Sequence, residues 1–147
     1  MATQPLHVRP EESPHEATFM MWPVNRKVHP DLEFLVVLQE TIADIANAIA
    51  EFEPLIMLAA PDDQARVARM LSGTVELWDI PTEDLWARDA GPLIAHRANK
   101  RVVSHIQFNG WGKKQVHKRD AQVAGAIAYR LGFDLLASGL TGETGGV

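Results

Sequence analysis

Residues 91–137 read GPLIAHRANKRVVSHIQFNGWGKKQVHKRDAQVAGAIAYRLGFDLLA, and the order of elements in this stretch decides the fold class. Gly91 to Arg97 and Arg101 to Phe108 are strand-like runs, and the Ala98-Asn99-Lys100 turn between them is short enough for an antiparallel hairpin. From about Lys118 to Leu131 the spacing of Val123, Ile127 and Leu131 predicts a helix with one apolar face. Gly132 stands just past its end, where a left-handed residue closes a helix. Phe133 to Ala137 follows as a strand. The unit is ββαβ, and such a unit reads as one blade of something larger.

Working outward toward the N-terminus, strand and helix continue to alternate. Residues 1–16 are rich in Pro, His and Glu without periodicity and read as a loop-like lead-in. Ala17 to Pro23 is a short apolar run closed by proline, expected to be a buried strand. After Asp31, residues Leu32, Leu35, Val36, Ile42, Ile45, Ala46, Ile49 and Phe52 recur at three- and four-residue spacing, which predicts one helical face. Pro54 stops that helix, and Leu55 to Ala60 has the continuous hydrophobicity of a strand covered on both faces. Pro61-Asp62-Asp63 opens a second helix to about Leu71, with carboxylates in the first turn where the helix dipole favours them. Thr74 to Ile80 reads as a strand and Pro81-Thr82-Glu83-Asp84 as the loop beyond it. The whole predicts an α/β domain with a mixed sheet.

Composition bounds what the domain does. At 147 residues, 46% hydrophobic and 22% charged, the chain sits near the average for one soluble globular domain. A chain of this size buries roughly 68–70% of its unfolded surface. The net charge of −5, with Lys and Arg scattered along the sequence, argues against nucleic acid as a partner. There are no cysteines, so a disulfide framework, a thiolate metal site and a cysteine nucleophile are all absent from these residues. The six histidines, at positions 7, 15, 29, 96, 105 and 117, show no metal-ligand spacing, and no metal or other cofactor is expected. His96 and His105 read as sheet residues and His117 as a solvated side chain. The N-terminus lacks an apolar leader core, and no run approaches 18 apolar residues, so a cytoplasmic location without membrane association is expected.

Three loops hold residues able to carry chemistry. Asp84-Leu85-Trp86-Ala87-Arg88-Asp89-Ala90-Gly91-Pro92 gathers two carboxylates, a guanidinium and an indole between two strands. In extended backbone Trp86 and Arg88 would point to one side and Ala87 and Asp89 to the other, so Arg88 need not neutralise Asp89. A free carboxylate beside an aromatic wall suits a cationic ligand, because it takes two parallel hydrogen bonds from a guanidinium while the ring face attracts the charge. The bland alternative pairs Arg88 with Asp84 or Asp89 and buries Trp86. Phe108-Asn109-Gly110-Trp111-Gly112-Lys113 packs two glycines, an amide and an indole into one turn, either near a ligand or merely as a tight turn anchored by its tryptophan. Thr141-Gly142-Glu143-Thr144-Gly145-Gly146-Val147 places a carboxylate among glycines and is not a phosphate loop; its default reading is a flexible tail.

In order, Glu12-Ser13-Pro14-His15-Glu16-Ala17-Thr18 with Met21-Trp22-Pro23, then Trp86-Ala87-Arg88-Asp89-Ala90-Gly91-Pro92, then Phe108-Asn109-Gly110-Trp111-Gly112-Lys113, then Glu143-Thr144-Gly145-Gly146-Val147, resemble the agmatine deiminase and bacterial-type peptidylarginine deiminase family. The resemblance implies an incomplete pseudo-fivefold α/β propeller of ββαβ modules. It makes residues 1–147 the N-terminal part of a single deiminase domain, cut within a Glu-Gly-Gly segment in which Thr144 replaces a glycine. It also implies hydrolysis of a guanidine group: agmatine and water give N-carbamoylputrescine and ammonia on the way to putrescine, with arginine in peptides as the other substrate. In such enzymes a cysteine thiolate attacks the guanidinium carbon and a histidine helps ammonia leave. By resemblance Asp89 is one guanidinium clamp, Trp86 lines the pocket, Asn109 and Trp111 shape it, and Glu143 supports the catalytic histidine. The second clamp, the histidine and the cysteine would follow Val147, so the chain alone is expected to be inactive. The alternatives are a non-catalytic guanidinium-binding module, or a structural fragment that self-associates through open sheet edges.

Overall fold

The structure, a computed structural model, describes residues 5–147; the first four residues of the predicted lead-in lie outside the described residues. Among the described residues there are two three-stranded sheets: the second is mixed, as expected, whereas the first is all parallel. Strands β1 (Thr18–Met21), β2 (Leu55–Ala59) and β3 (Glu76–Asp79) form a parallel sheet in the order β1-β2-β3. Helices α1 (Leu32–Ile49) and α2 (Pro61–Ala68) make its crossovers. The second sheet holds β4 (Leu93–Arg97), β5 (Lys100–Gln107) and β6 (Asp134–Thr141), with β4 and β5 antiparallel and β5 and β6 parallel. Helix α3 (Val123–Leu131) links β5 to β6, giving the ββαβ order read from residues 91–137. The first unit is βαβαβ and has no hairpin.

The alternation of β2 explains why its sequence is apolar throughout. Leu55, Met57 and Ala59 meet Ile42, Ala43 and Ala46 of α1 and Val67 of α2 on one face. Ile56 and Leu58 meet Trp78, Phe108 and Val123 and Ile127 of α3 on the other. Every residue of β2 is buried, so the strand is sandwiched between helices and carries no polar face. Helix α3 also packs on β5 and β6, and so joins the two sheets.

Helix α1 begins where the Asp31 carboxylate accepts from the N–H groups of Glu33 at 2.9 Å and Phe34 at 3.1 Å. Its buried stripe, Leu35, Gln39, Ile42, Ala43 and Ala46, is narrower than the face the sequence predicted. Leu32, Val36, Ile45 and Phe52 are exposed, because apolar spacing identifies a helix without fixing how wide a stripe its sheet covers. Gly132, at φ 68°, ends α3 as predicted. Strand β6 runs to Thr141, four residues past its expected end. On the hairpin's outer edge, His7 and His96 exchange backbone hydrogen bonds of 2.9 and 2.7 Å, so the N-terminal segment covers β4. No helix among the described residues is long and apolar enough to cross a membrane.

Candidate functional site

The carboxyl ends of parallel strands are where α/β folds place their loops for ligands. The segments after β1, β3, β5 and β6 all leave from such ends, and the segment before the antiparallel β4 arrives at the same one. This topology gathers all three chemistry-bearing loops at one end of the molecule.

The tryptophan loop is helical where the sequence predicted extended backbone. Ala87–Ala90 forms one helical turn, closed by Ala90 N–H donating to Trp86 O at 3.1 Å and Gly91 N–H to Ala87 O at 2.8 Å. A Cβ on Gly91 would stand 2.3 Å from the Ala87 oxygen, so this turn requires glycine there. Successive residues in such a turn lie about 100° apart, which separates Arg88 from Asp89 by a different geometry from the strand alternation expected. Arg88 pairs with Glu11 of the N-terminal segment. Neither Asp84 nor Asp89 takes it, and Trp86 is half exposed, so the bland reading of this loop fails on both counts.

Asp89 accepts a hydrogen bond from the Trp111 indole N–H at 3.2 Å and is partly buried. Among the described residues it makes no ion pair. Trp111 stands edge-on to Trp86, with ring centres 6.2 Å apart, and edge-on to Phe108 at 5.0 Å. The Trp111 turn is left-handed for four residues: Gly110, Trp111, Gly112 and Lys113 have φ of 64°, 55°, 77° and 64°. Two of these are not glycine, and left-handed backbone costs such residues roughly 1–2 kcal/mol each. The turn is held by the Asn109 side-chain oxygen, which accepts from Gly112 N–H at 2.8 Å. Asn109 therefore acts on the backbone of the Trp111 turn.

The terminal segment is ordered, contrary to the flexible-tail reading. Thr144 Oγ1 donates to Gly91 O at 2.9 Å, and residues Thr144–Gly146 form a 3-10 turn against the Asp89 turn. Gly145 approaches so closely that a Cβ would lie 2.4 Å from Asp89 Oδ1. Glu143 precedes this turn, partly buried. The structure thus brings Trp86, Asp89 and Trp111 together, with the Glu143 segment beside them and Asn109 capping the turn that carries Trp111. A cavity of about 550 Å³ on the inner side of the turn is lined by Ala87, Arg88, Gly91, Val123, Ile127 and Thr144. Trp86, Asp89 and Trp111 are not on its wall.

Beneath these loops lies a buried polar cluster that sequence reading did not anticipate. Asp84 binds His29 Nε2 at 2.8 Å and the Gln115 amide at 2.7 Å. The Glu83 N–H donates to Asp120 Oδ1 at 2.7 Å, and Glu83 Oε2 accepts from Arg119 N–H at 3.3 Å. Burial, and then the nearby Glu83 and Asp84 carboxylates, push Asp120 up to about 7 against the opposing Glu83 N–H. His117 is partly buried in this packing and held by it, where a freely solvated side chain was expected: its ring meets Phe108 edge-on, and its Nδ1 donates to Gln115 O at 2.7 Å. His96 and His105 lie on β4 and β5 as predicted.

The profile of the Porphyromonas-type peptidyl-arginine deiminase family matches residues 7–147. A Streptomyces coelicolor protein provisionally named agmatine deiminase is 32% identical over 142 residues, covering 94% of this chain and 42% of that protein. The fold superposes on the agmatine deiminase of Enterococcus faecalis with a TM-score of 0.80 at 22% identity, over 95% of this chain and 40% of that one. It also superposes on a cysteine-to-serine variant of the C. jejuni agmatine deiminase with substrate bound, with a TM-score of 0.79 at 22% identity, over 97% and 42% of the two chains. The chain spans about two-fifths of the length of the curated relatives it matches.

Proposed function

The chain belongs to the Porphyromonas-type peptidyl-arginine deiminase family, and from that premise we propose that it supplies the guanidinium-recognition side of a guanidine hydrolase, with agmatine as substrate ahead of arginine in peptides. The observation that carries this reading is the Asp89 carboxylate, unpaired by any cation among the described residues and fixed by the Trp111 N–H beside two indole rings. A carboxylate so held accepts two parallel N–H bonds from a guanidinium, and an indole face adds attraction for its charge. The fixed geometry lowers the entropy lost when the ligand is positioned. Glu143 is proposed to support a catalytic histidine from outside these residues. With no cysteine in the chain, the thiolate that would attack the guanidinium carbon also has to come from elsewhere. The two sheet units are read as two blades of a five-bladed α/β propeller, in keeping with the 40% of the E. faecalis chain that they cover.

The test is agmatine binding and turnover by the 147-residue chain. Saturable binding that Asp89→Ala weakens at least tenfold, with no ureido product, is the expected result; steady product release would overturn the division of the site. A second reading, self-association, rests on β6, whose outer edge has no strand partner among the described residues and which exposes Leu135 and Leu140. Light scattering that shows mass rising with concentration would support it, and a strict monomer would end it.

A further inference from the structure

The sequence places Lys113, Lys114 and Lys118 within six residues of one another, and the fold brings Lys27 to them from another loop. Lys27, Lys113, Lys114 and Lys118, with His117, line a groove of about 650 Å³ between the loop after β1 and the loop after β5. In a chain of net charge −5, this is a local concentration of positive charge. We infer that this groove is a binding site for an oxyanion group, a phosphate or a carboxylate, next to the Asp89 site.

The first reason is that the charges are uncompensated. Arg66, Arg88 and Arg101 each pair with a carboxylate, whereas none of the four lysines forms an ion pair among the described residues. The carboxylates packed below have other partners: Asp84 has His29 and Gln115, Asp120 has the Glu83 N–H, and Glu83 has the Asn25 amide at 3.4 Å and the Arg119 N–H. Like charges lining one concave wall repel each other, and a bound anion removes that cost.

The second reason is that both walls are held in place. On one, Asn25 Oδ1 accepts from Lys27 N–H at 2.8 Å, and the N–H groups of Val28 and His29 both donate to Asn25 O. On the other, Lys113 sits at φ 64°, a strained position for a non-glycine residue. Lys114 N–H donates to Gly110 O at 2.9 Å and Lys113 N–H to Asn109 O at 2.8 Å, so recognition there falls to side chains. A single buried carboxylate, Asp84, ties the walls together by binding His29 of one and Gln115 of the other. His117 Nδ1 donates to Gln115 O at 2.7 Å, which holds the ring against that wall, and the donors facing an anion are the lysine ammonium groups. Lys113 is two residues from Trp111, so an anion here would neighbour a guanidinium at Asp89.

The experiment is calorimetry on the 147-residue chain at low ionic strength, with inorganic pyrophosphate as the probe. Saturable binding is expected, weakened about tenfold by Lys114→Gln with Lys118→Gln, and similarly by Lys27→Gln from the opposite wall. Lys100→Gln, at the hairpin tip away from the groove, should leave it unchanged. No saturable binding, or equal affinity in the groove variants and the parent, would overturn the inference. Because Lys27 lies on a separate loop, its variant still reads the site if the double variant unfolds. A parallel arm compares arginine with agmatine. Tighter arginine binding that the groove variants abolish would mean the substrate carries the oxyanion, while equal binding with pyrophosphate retained means a separate ligand. Pyrophosphate binding does not depend on the deiminase reading, so failure of guanidine binding at Asp89 and failure of the groove are separately visible.

Discussion

Replacing Asp120 by asparagine is expected to stabilise the protein, and to do so only above acid pH. Asp120 is buried between the Glu83 and Asp84 carboxylates, and its proton is held up to about pH 7 in the folded state, against 3.8 ordinarily. Between those values the folded protein keeps a proton that the unfolded chain has released. Stability from this group is therefore full below about pH 4, falls as pH rises toward 7, and stays lower above it. A shift from 3.8 to about 7 corresponds to at most about 4 kcal/mol. Asparagine keeps the oxygen that accepts the Glu83 N–H at 2.7 Å while removing the charge. Urea unfolding, followed by the fluorescence of the four tryptophans, should show Asp120→Asn and parent equal near pH 4. At pH 8 the variant should be more stable by about 2–4 kcal/mol. Groups remote from Asp120 contribute equally to both proteins and cancel in the difference. A difference that does not change with pH, or a variant less stable at pH 8, would refute the buried, proton-holding role of Asp120.

Three other substitutions probe the supports of the site. Gly145→Ala places a Cβ 2.4 Å from Asp89 Oδ1 and 3.0 Å from Arg88 Cγ, so Asp89 must turn from the Trp111 N–H; agmatine affinity should fall at least fivefold in calorimetry. Its unfolding midpoint should hardly move. Gly110→Ala meets His117 Nδ1 at 2.6 Å and the Gln115 oxygen at 2.7 Å, at a φ of 64°, and should cost about 2–3 kcal/mol in thermal melting. Asp31→Ala removes the acceptor for two N–H groups at the start of α1 and should cost about 1 kcal/mol, read by the same melting experiment.

Periodicity made the elements legible, because β2 and α1 announce themselves within their own residues: Leu55 to Ala59 without a polar break, and Leu35, Ile42 and Ala46 at helical spacing. The division into two sheets was not legible. Whether β3 and β4 pair is settled by the path of the loop between them, and that path depends on Thr82 Oγ1 reaching Trp22 O, 60 residues away in sequence. The acidic cluster was hidden for the same reason. Glu83 and Asp84 look like a solvated loop until His29, Gln115 and Asp120 arrive from other segments.

The candidate site shows the same limit in its most important detail. That Asp89 stands near tryptophan could be read from the motif, but its freedom from Arg88 was expected for the wrong geometric reason. The exposed pair of Arg88 with Glu11 contributes about 1 kcal/mol at most, too little to hold Arg88 away if the backbone favoured Asp89. The decisive factor is the helical turn Ala87–Ala90, which points adjacent side chains in different directions and is possible only because Gly91 leaves room for the Ala87 oxygen. The availability of the carboxylate for a cationic ligand is therefore encoded in a glycine two residues away, more than in either charged residue. That places the Gly91 and Gly145 close approaches at the centre of the site's construction: one shapes the turn that frees Asp89, and the other packs against it from the Glu143 segment.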